Sequence, residues 1–140
     1  MKLTAYTDGS YNSNGHVYGG GVVILLEGIQ QPLTQKVCGN DNNYARFRNV
    51  AGEILAVMAA VEVAKKADCE ELDIYYDYEG LEKWVSGAWR ANKTVSIQYR
   101  NYVLEAMRNM AIRFHKVSAH TGDEYNELAD KLAREATRGA

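Results

Sequence analysis

A chain of 140 residues, 46% hydrophobic and 24% charged, is sized for a single domain, 1–140, around one core, with the composition of an ordinary globular protein. The opening Met1–Tyr6 is too short and polar for a signal peptide. The longest apolar run, Gly19 to Leu26, falls far short of the roughly 20 residues that span a bilayer, so no membrane partner is expected. A net charge of −2 excludes an overtly basic nucleic-acid binder, but the charge is uneven. Lys83, Arg90, Lys93, Arg100, Arg108, Arg113 and Lys116 fall in one segment whose only acid is Glu105. Such a segment can present phosphate-binding cations on an acidic protein, or it can be a plain solvated helix surface. Cys38 and Cys69 have neither paired spacing nor a nearby histidine and read as buried free thiols, which places the protein in the reducing cytoplasm.

In chain order, Leu3 to Thr7 reads as a strand, followed by a polar loop through Tyr11 to His16. Gly19 to Leu26 is a β-rich run, Glu27-Gly28 a turn, and Leu33 to Val37 a third strand, so the first three strands form an antiparallel meander. A loop from Asn40 to Asn43 extends toward Asn49. From Asn49, a candidate N-cap, to Lys66 the apolar spacing becomes helical. Leu72 to Tyr76 alternates as a strand, Glu79 to Trp84 suits a short helix, Tyr99 to Met110 a longer one, and Ile112 to Val117 a fifth strand. A last helix runs from about Asp123 to Thr137, with Thr121 or Asp123 able to cap it. The predicted fold class is α/β, a five-stranded mixed sheet with three antiparallel strands first, flanked by helices.

Most acids of this chain suit its surface; Glu53 does not. Its neighbours at helical spacing are Ala56, Val57, Ala60 and Val61, so it faces the core, whereas Glu62 lies about 180° round the helix. No lysine or arginine shares the Glu53 stripe in the first three turns, so something outside this helix has to compensate a carboxylate placed there. Asp8 and Asp77 follow two strands, where an aspartate either carries a ligand or simply caps a turn. Asp130 edges the stripe of Tyr125, Leu128, Ala129, Leu132 and Ala136, as a functional acid or a rim acid. Four hard oxygen donors with no His or Cys among them suit Mg²⁺ or Mn²⁺. A site of that kind can serve two-metal phosphoryl transfer.

Four motifs carry a resemblance. Thr7-Asp8-Gly9-Ser10, Asn49-Val50-Ala51-Gly52-Glu53, Ile74-Tyr75-Tyr76-Asp77-Tyr78-Glu79-Gly80, and Ala119-His120-Thr121-Gly122-Asp123 with Asn126, Ala129 and Asp130 stand in the order of the type 1 ribonuclease H family. The chain resembles that family from about Leu3 to Ala136. The resemblance implies a ribonuclease H-like fold and an endonuclease that cuts the RNA strand of RNA/DNA hybrids, leaving 5′-phosphate and 3′-hydroxyl ends. It makes Asp8, Glu53, Asp77 and Asp130 the ligands of two Mg²⁺ ions, with Mn²⁺ as substitute, and His120 a residue for proton transfer or product release. It also implies substrate contacts from Gly9, Ser10, Asn49, Trp89, Arg90, Asn92, Lys93 and Asn126. Trp84 reads as a core residue and Trp89 as the better contact. His16 and His115 read as structural or surface residues.

The chain departs from the resemblance in places. Asn12-Ser13-Asn14-Gly15 lacks the Asn-Pro-Gly of many relatives, and the short stretch after Asp77 implies a reduced basic protrusion. No separate N-terminal hybrid-binding domain is expected, and the expectation is a free-standing monomer rather than part of a reverse transcriptase. The alternatives are a DNA-cutting nuclease of the same fold and a binding module without catalysis.

Overall fold

The glycine run that opens the second strand governs how the layers meet. In the computed structural model, which describes residues 1–117 and 123–138, β1 (Lys2–Asn12) and β2 (Val17–Leu26) form a long antiparallel hairpin closed by a 3-10 turn at Asn14–His16. β3 (Leu33–Gly39) pairs antiparallel with β2, while β4 (Glu71–Tyr76) and β5 (Ala111–Lys116) add parallel strands on the other side of β1. The sheet order is β3-β2-β1-β4-β5, the expected five-stranded mixed sheet.

Alternation divides the β1–β2 hairpin between two helices. Leu3, Ala5, Thr7 and Gly9, with Gly20, Val22 and Ile24, turn toward α2 (Asn49–Lys66). Tyr6 and Val23 turn the other way, toward α5 (Glu124–Ala136), with Gly19 and Gly21 beneath that helix. The main core lies between α2, the sheet, α3 (Gly80–Ser86) and α4 (Thr94–Ala106), and α1 (Asn42–Ala45) closes one corner. Glycine lets the backbones nearly touch. A Cβ on Gly21 would lie 2.7 Å from Ala133 N, and one on Gly20 would fall 3.1 Å from the Ala56 Cβ and closer still to Gly52 O. Both helices are thereby drawn down onto the same stretch of β2.

Several expectations need correction. The polar residues Asp8 to Asn12 are not a loop: they continue β1, each paired with β2, from Asp8 with Gly21 to Asn12 with Val17. Asp8 is thus interior to a strand, although its β4 neighbour has gone, because β1–β4 pairing stops at Tyr6 and Tyr75. Asn49 does not cap α2; it is the first helical residue, and Arg48 precedes it with φ 54° and ψ −124° and no side-chain cap. The expected loop at Asn40–Asn43 holds the start of α1, capped by Asp41, whose side chain accepts from Asn43 N and Tyr44 N. The helix expected from Tyr99 starts earlier, at Thr94, because Ser96 Oγ takes the Lys93 N–H and returns its proton to Lys93 O. Cys38 is exposed on edge strand β3, against the expectation of burial, whereas Cys69 is buried. Asp123 does cap α5, accepting from Tyr125 N and Asn126 N.

Candidate active site

The four acids come from four different elements, and the sheet explains how they meet. Beyond Tyr6 and Tyr75 the two strands part, so the backbone N–H groups of Asp77 and Tyr78 have no β1 carbonyl to receive them. Glu53 takes both. Asp77 N donates to its Oε2 at 2.8 Å and Tyr78 N to its Oε1 at 3.1 Å. These two N–H groups are the compensation the sequence demanded, and it is backbone rather than a cation. They do not cancel the cost of burial. Glu53 is 3% exposed, and desolvation pushes its carboxyl up from 4.5 to about 8, with Asp8 and Asp77 repelling it further.

Asp8 lies on the α5 side of β1 and accepts from the Gly9 N–H at 2.9 Å. Burial pushes it up from 3.8 to about 7 against that hydrogen bond, helped by the charges of Asp130 and Asp77 and by side-chain hydrogen bonding with Asp130. Asp130 reaches it because Ala129, the preceding residue, sits directly on Gly21, the strand partner of Asp8. Arg134, one turn on, holds Asp130 Oδ2 at 3.1 Å. Asp77 is exposed at the end of β4. The arrangement is therefore an electrostatically crowded group of carboxylates at the C-terminal end of the parallel strands. Among the described residues no three His, Cys, Asp or Glu groups form a ready-made ion cage. The donor set nonetheless fits divalent cations: it consists of hard oxygens whose mutual repulsion raises their affinity for positive charge.

The other expected residues fall into two zones. Gly9 lies under the first turn of α2, where a Cβ would come 2.5 Å from Glu53 N. Ser10 follows it on β1 and Asn49 is exposed at the start of α2, so these three border the acids. Asn126 is half-buried in the first turn of α5. Trp89, Arg90, Asn92 and Lys93 form the exposed link between α3 and α4. Only Trp89 has a described link back to the acids, through the Tyr78 ring at 6.1 Å. Trp84 is the core residue expected, 7% exposed and packed edge-on against Phe47 and Tyr99. His120 lies outside the described residues.

The basic segment is sorted by pairing. Lys83 pairs with Glu79, Arg108 with Glu105, and Arg113 with Glu71 and Asp73. Among the described residues Arg90, Lys93, Arg100 and Lys116 have no such partner, and the first two flank Asn92 in the exposed link.

The model of the RNase H family matches residues 1–138. The chain belongs to the ribonuclease H family. It is an enzyme of that class. The Ribonuclease H of Ehrlichia chaffeensis is 32% identical over 143 residues, covering 95% of this chain and 92% of its own. The RNase H1 of the halophilic archaeon Halobacterium salinarum NRC-1 superposes over 100% of both chains with a TM-score of 0.78 at 26% identity. LC11-RNase H1, solved in complex with an RNA/DNA hybrid, shares the fold with a TM-score of 0.72 and 21% identity over 96% of each chain.

Sequence reasoning missed two features of the candidate site in this ribonuclease H. Gly19-Gly20-Gly21 and Gly52 set how closely the acid-bearing helices approach the sheet; three glycines inside an otherwise β-rich run were the available signal. Thr7, taken only as part of a motif, is 3% exposed with its hydroxyl directed at Glu53 and at Tyr75 O.

Proposed function

We propose that this ribonuclease H hydrolyses the RNA strand of RNA/DNA hybrids as an endonuclease, leaving 5′-phosphate and 3′-hydroxyl ends. Asp8, Glu53, Asp77 and Asp130 would hold two Mg²⁺ ions, or Mn²⁺ in their place. The observation that carries this reading is the gathering of carboxylates at one strand end in a chain that matches RNase H over residues 1–138. There buried Glu53 accepts from Asp77 N at 2.8 Å, and Asp8 feels the charges of Asp77 and Asp130. Such crowding is costly unless cations offset it. The LC11-RNase H1 complex lends the substrate class.

Bound divalent cations supply activation of the attacking water and stabilisation of the leaving oxygen. Water adds to phosphorus as the bond to O3′ breaks, and O3′ leaves with a proton. The chain's own part is to bring four carboxylates toward one strand end from separate elements. Glu53 is held in place by Asp77 N and Tyr78 N, so that part of the donor set is oriented before the reaction. His120, close in sequence to Asp123 and Asp130, is suited to proton transfer or product release at neutral pH. Gly9, Ser10, Asn49 and Asn126 would face the RNA strand, where the 2′-hydroxyl separates RNA from DNA. Trp89, Arg90, Asn92 and Lys93 would grip the DNA strand by ring and cation contact with sugar and phosphate. The domain 1–140 would act as a monomer.

The test is incubation with labelled RNA/DNA, DNA/DNA and RNA/RNA duplexes across an Mg²⁺ and Mn²⁺ series. Cleavage confined to the RNA strand of the hybrid is expected. Preferential cutting of DNA/DNA would replace the substrate, and binding without cleavage at any metal concentration would replace the activity.

A further inference from the structure

The two backbone N–H groups that hold Glu53 come from adjacent residues, Asp77 and Tyr78, at one strand end. By themselves they fix the Glu53 carboxylate to β4. Asp8, however, rides on β1, and β1 and β4 have already parted at this level. One side chain bridges the gap. Thr7 extends from β1 on the α2 face, with Oγ1 3.2 Å from Tyr75 O on β4 and 3.4 Å from Glu53 Oε2. Its single hydroxyl proton can serve one of these acceptors at a time, and both distances exceed the roughly 2.5–3.0 Å usual for an O–H···O bond, so each contact is weak.

We propose that Thr7 is a positioning residue that sets the Glu53 carboxylate relative to Asp8, and so tunes the affinity of the acid cluster for divalent cations. The inference rests on the metal-dependent reading above. Three elements meet at this hydroxyl: β1 through its own backbone, β4 through Tyr75 O, and α2 through Glu53. Valine has nearly the same shape and also suits a strand, so it keeps the packing and removes only the hydrogen bonding. A hydroxyl that merely satisfied Tyr75 O would affect stability alone. One that orients Glu53 also affects cation affinity, because groups that orient ligands commonly change metal affinity by about 10–100-fold.

The experiment compares wild type with Thr7→Val, Thr7→Ala and Thr7→Ser. Mg²⁺ and Mn²⁺ binding is read by titration calorimetry without substrate, alongside the Mg²⁺ dependence of hybrid cleavage and urea unfolding. Thr7→Val and Thr7→Ala are expected to need about tenfold more Mg²⁺ for half-saturation, with Thr7→Ser restoring it to within about threefold of wild type. Should Thr7→Val fail to fold, Thr7→Ala carries the comparison with serine. Wild-type cation affinity in a folded hydroxyl-free variant overturns the proposal, as does a serine variant no better than alanine. A wild type that binds no Mg²⁺ removes the metal reading, and Thr7's role with it. A wild type that binds and cleaves beside an unchanged Thr7→Val removes Thr7 alone.

Discussion

In an ordinary helix, replacing glycine by alanine stabilises by about 0.8–1 kcal/mol, because the backbone loses less freedom on folding. Gly52→Ala in α2 is expected to do the opposite. A Cβ there would lie 2.6 Å from the carbonyl carbon of Gly19 and closer still to its oxygen. Ordinary contact between carbon atoms is about 3.5 Å, so α2 has to retreat from β2 by at least roughly 1 Å to clear this carbon, and further to clear the oxygen. The obstacle is strand backbone, so no side-chain rotation relieves it. Overpacking of this kind costs about 1–3 kcal/mol, which exceeds the helix gain and leaves a net loss of up to about 2 kcal/mol. The retreat also carries Glu53, the next residue, away from Asp77 N, Tyr78 N and Thr7. A misplacement near 1 Å in a catalytic constellation costs about 100-fold in rate. Urea unfolding measures the first effect, and hybrid cleavage at saturating Mg²⁺ the second. A Gly52→Ala protein more stable than wild type, or one retaining activity within a factor of about two, would refute the claim that helix-to-sheet contact sets the Glu53 position.

Other outcomes follow from the same geometry. Asp8→Asn should abolish cleavage yet raise stability in the presence of a chelator by about 1–3 kcal/mol at pH 8, since it removes a repelled, buried charge; urea unfolding with and without Mg²⁺ checks both signs. The metal-free protein should lose stability as pH rises. Glu53 goes from 4.5 to about 8 on folding and Asp8 from 3.8 to about 7, so the folded state holds more protons across that window. Their contribution is therefore complete below about pH 4 and lost as pH passes 7 to 8, and Glu53→Gln should flatten much of the slope. Asp73 opposes it at the acid end: Arg113, His115 and Lys2 hold its carboxyl well below the usual range, so its stabilisation is lost on acidification. Chelator-treated unfolding curves from pH 4 to pH 9 would contradict this if they rose monotonically. Finally, Trp84→Ala should cost about 3–5 kcal/mol of stability, whereas Trp89→Ala should cost under about 1 kcal/mol of stability but about 1–3 kcal/mol of hybrid binding. Equal behaviour of the two variants in melting and binding assays would remove the distinction between core and contact tryptophan.

The sequence alone determined the order of the elements apart from α1, and the misfit of Glu53, because these depend on side-chain periodicity within a single segment. The mixed sheet was legible only through that order and the family resemblance. Core-facing spacing around Glu53 needed no partner to be visible, and Asp123 carried its helix-capping role in its residue type. Contacts between segments remained hidden. That Asp8 stands inside a strand and not in a loop depends on β2 pairing past the point where β4 departs, and polar residues paired on an edge look like a loop in one dimension. That Glu53 is held by the N–H groups of Asp77 and Tyr78 depends on the same parting of strands. The convergence of Asp130 on Asp8 depends on Gly21 admitting the Ala129 backbone, an interaction between two main chains that leaves no trace in side-chain pattern. Residue type supplied the acids. Close backbone approach, which only the folded chain can arrange, brought them together.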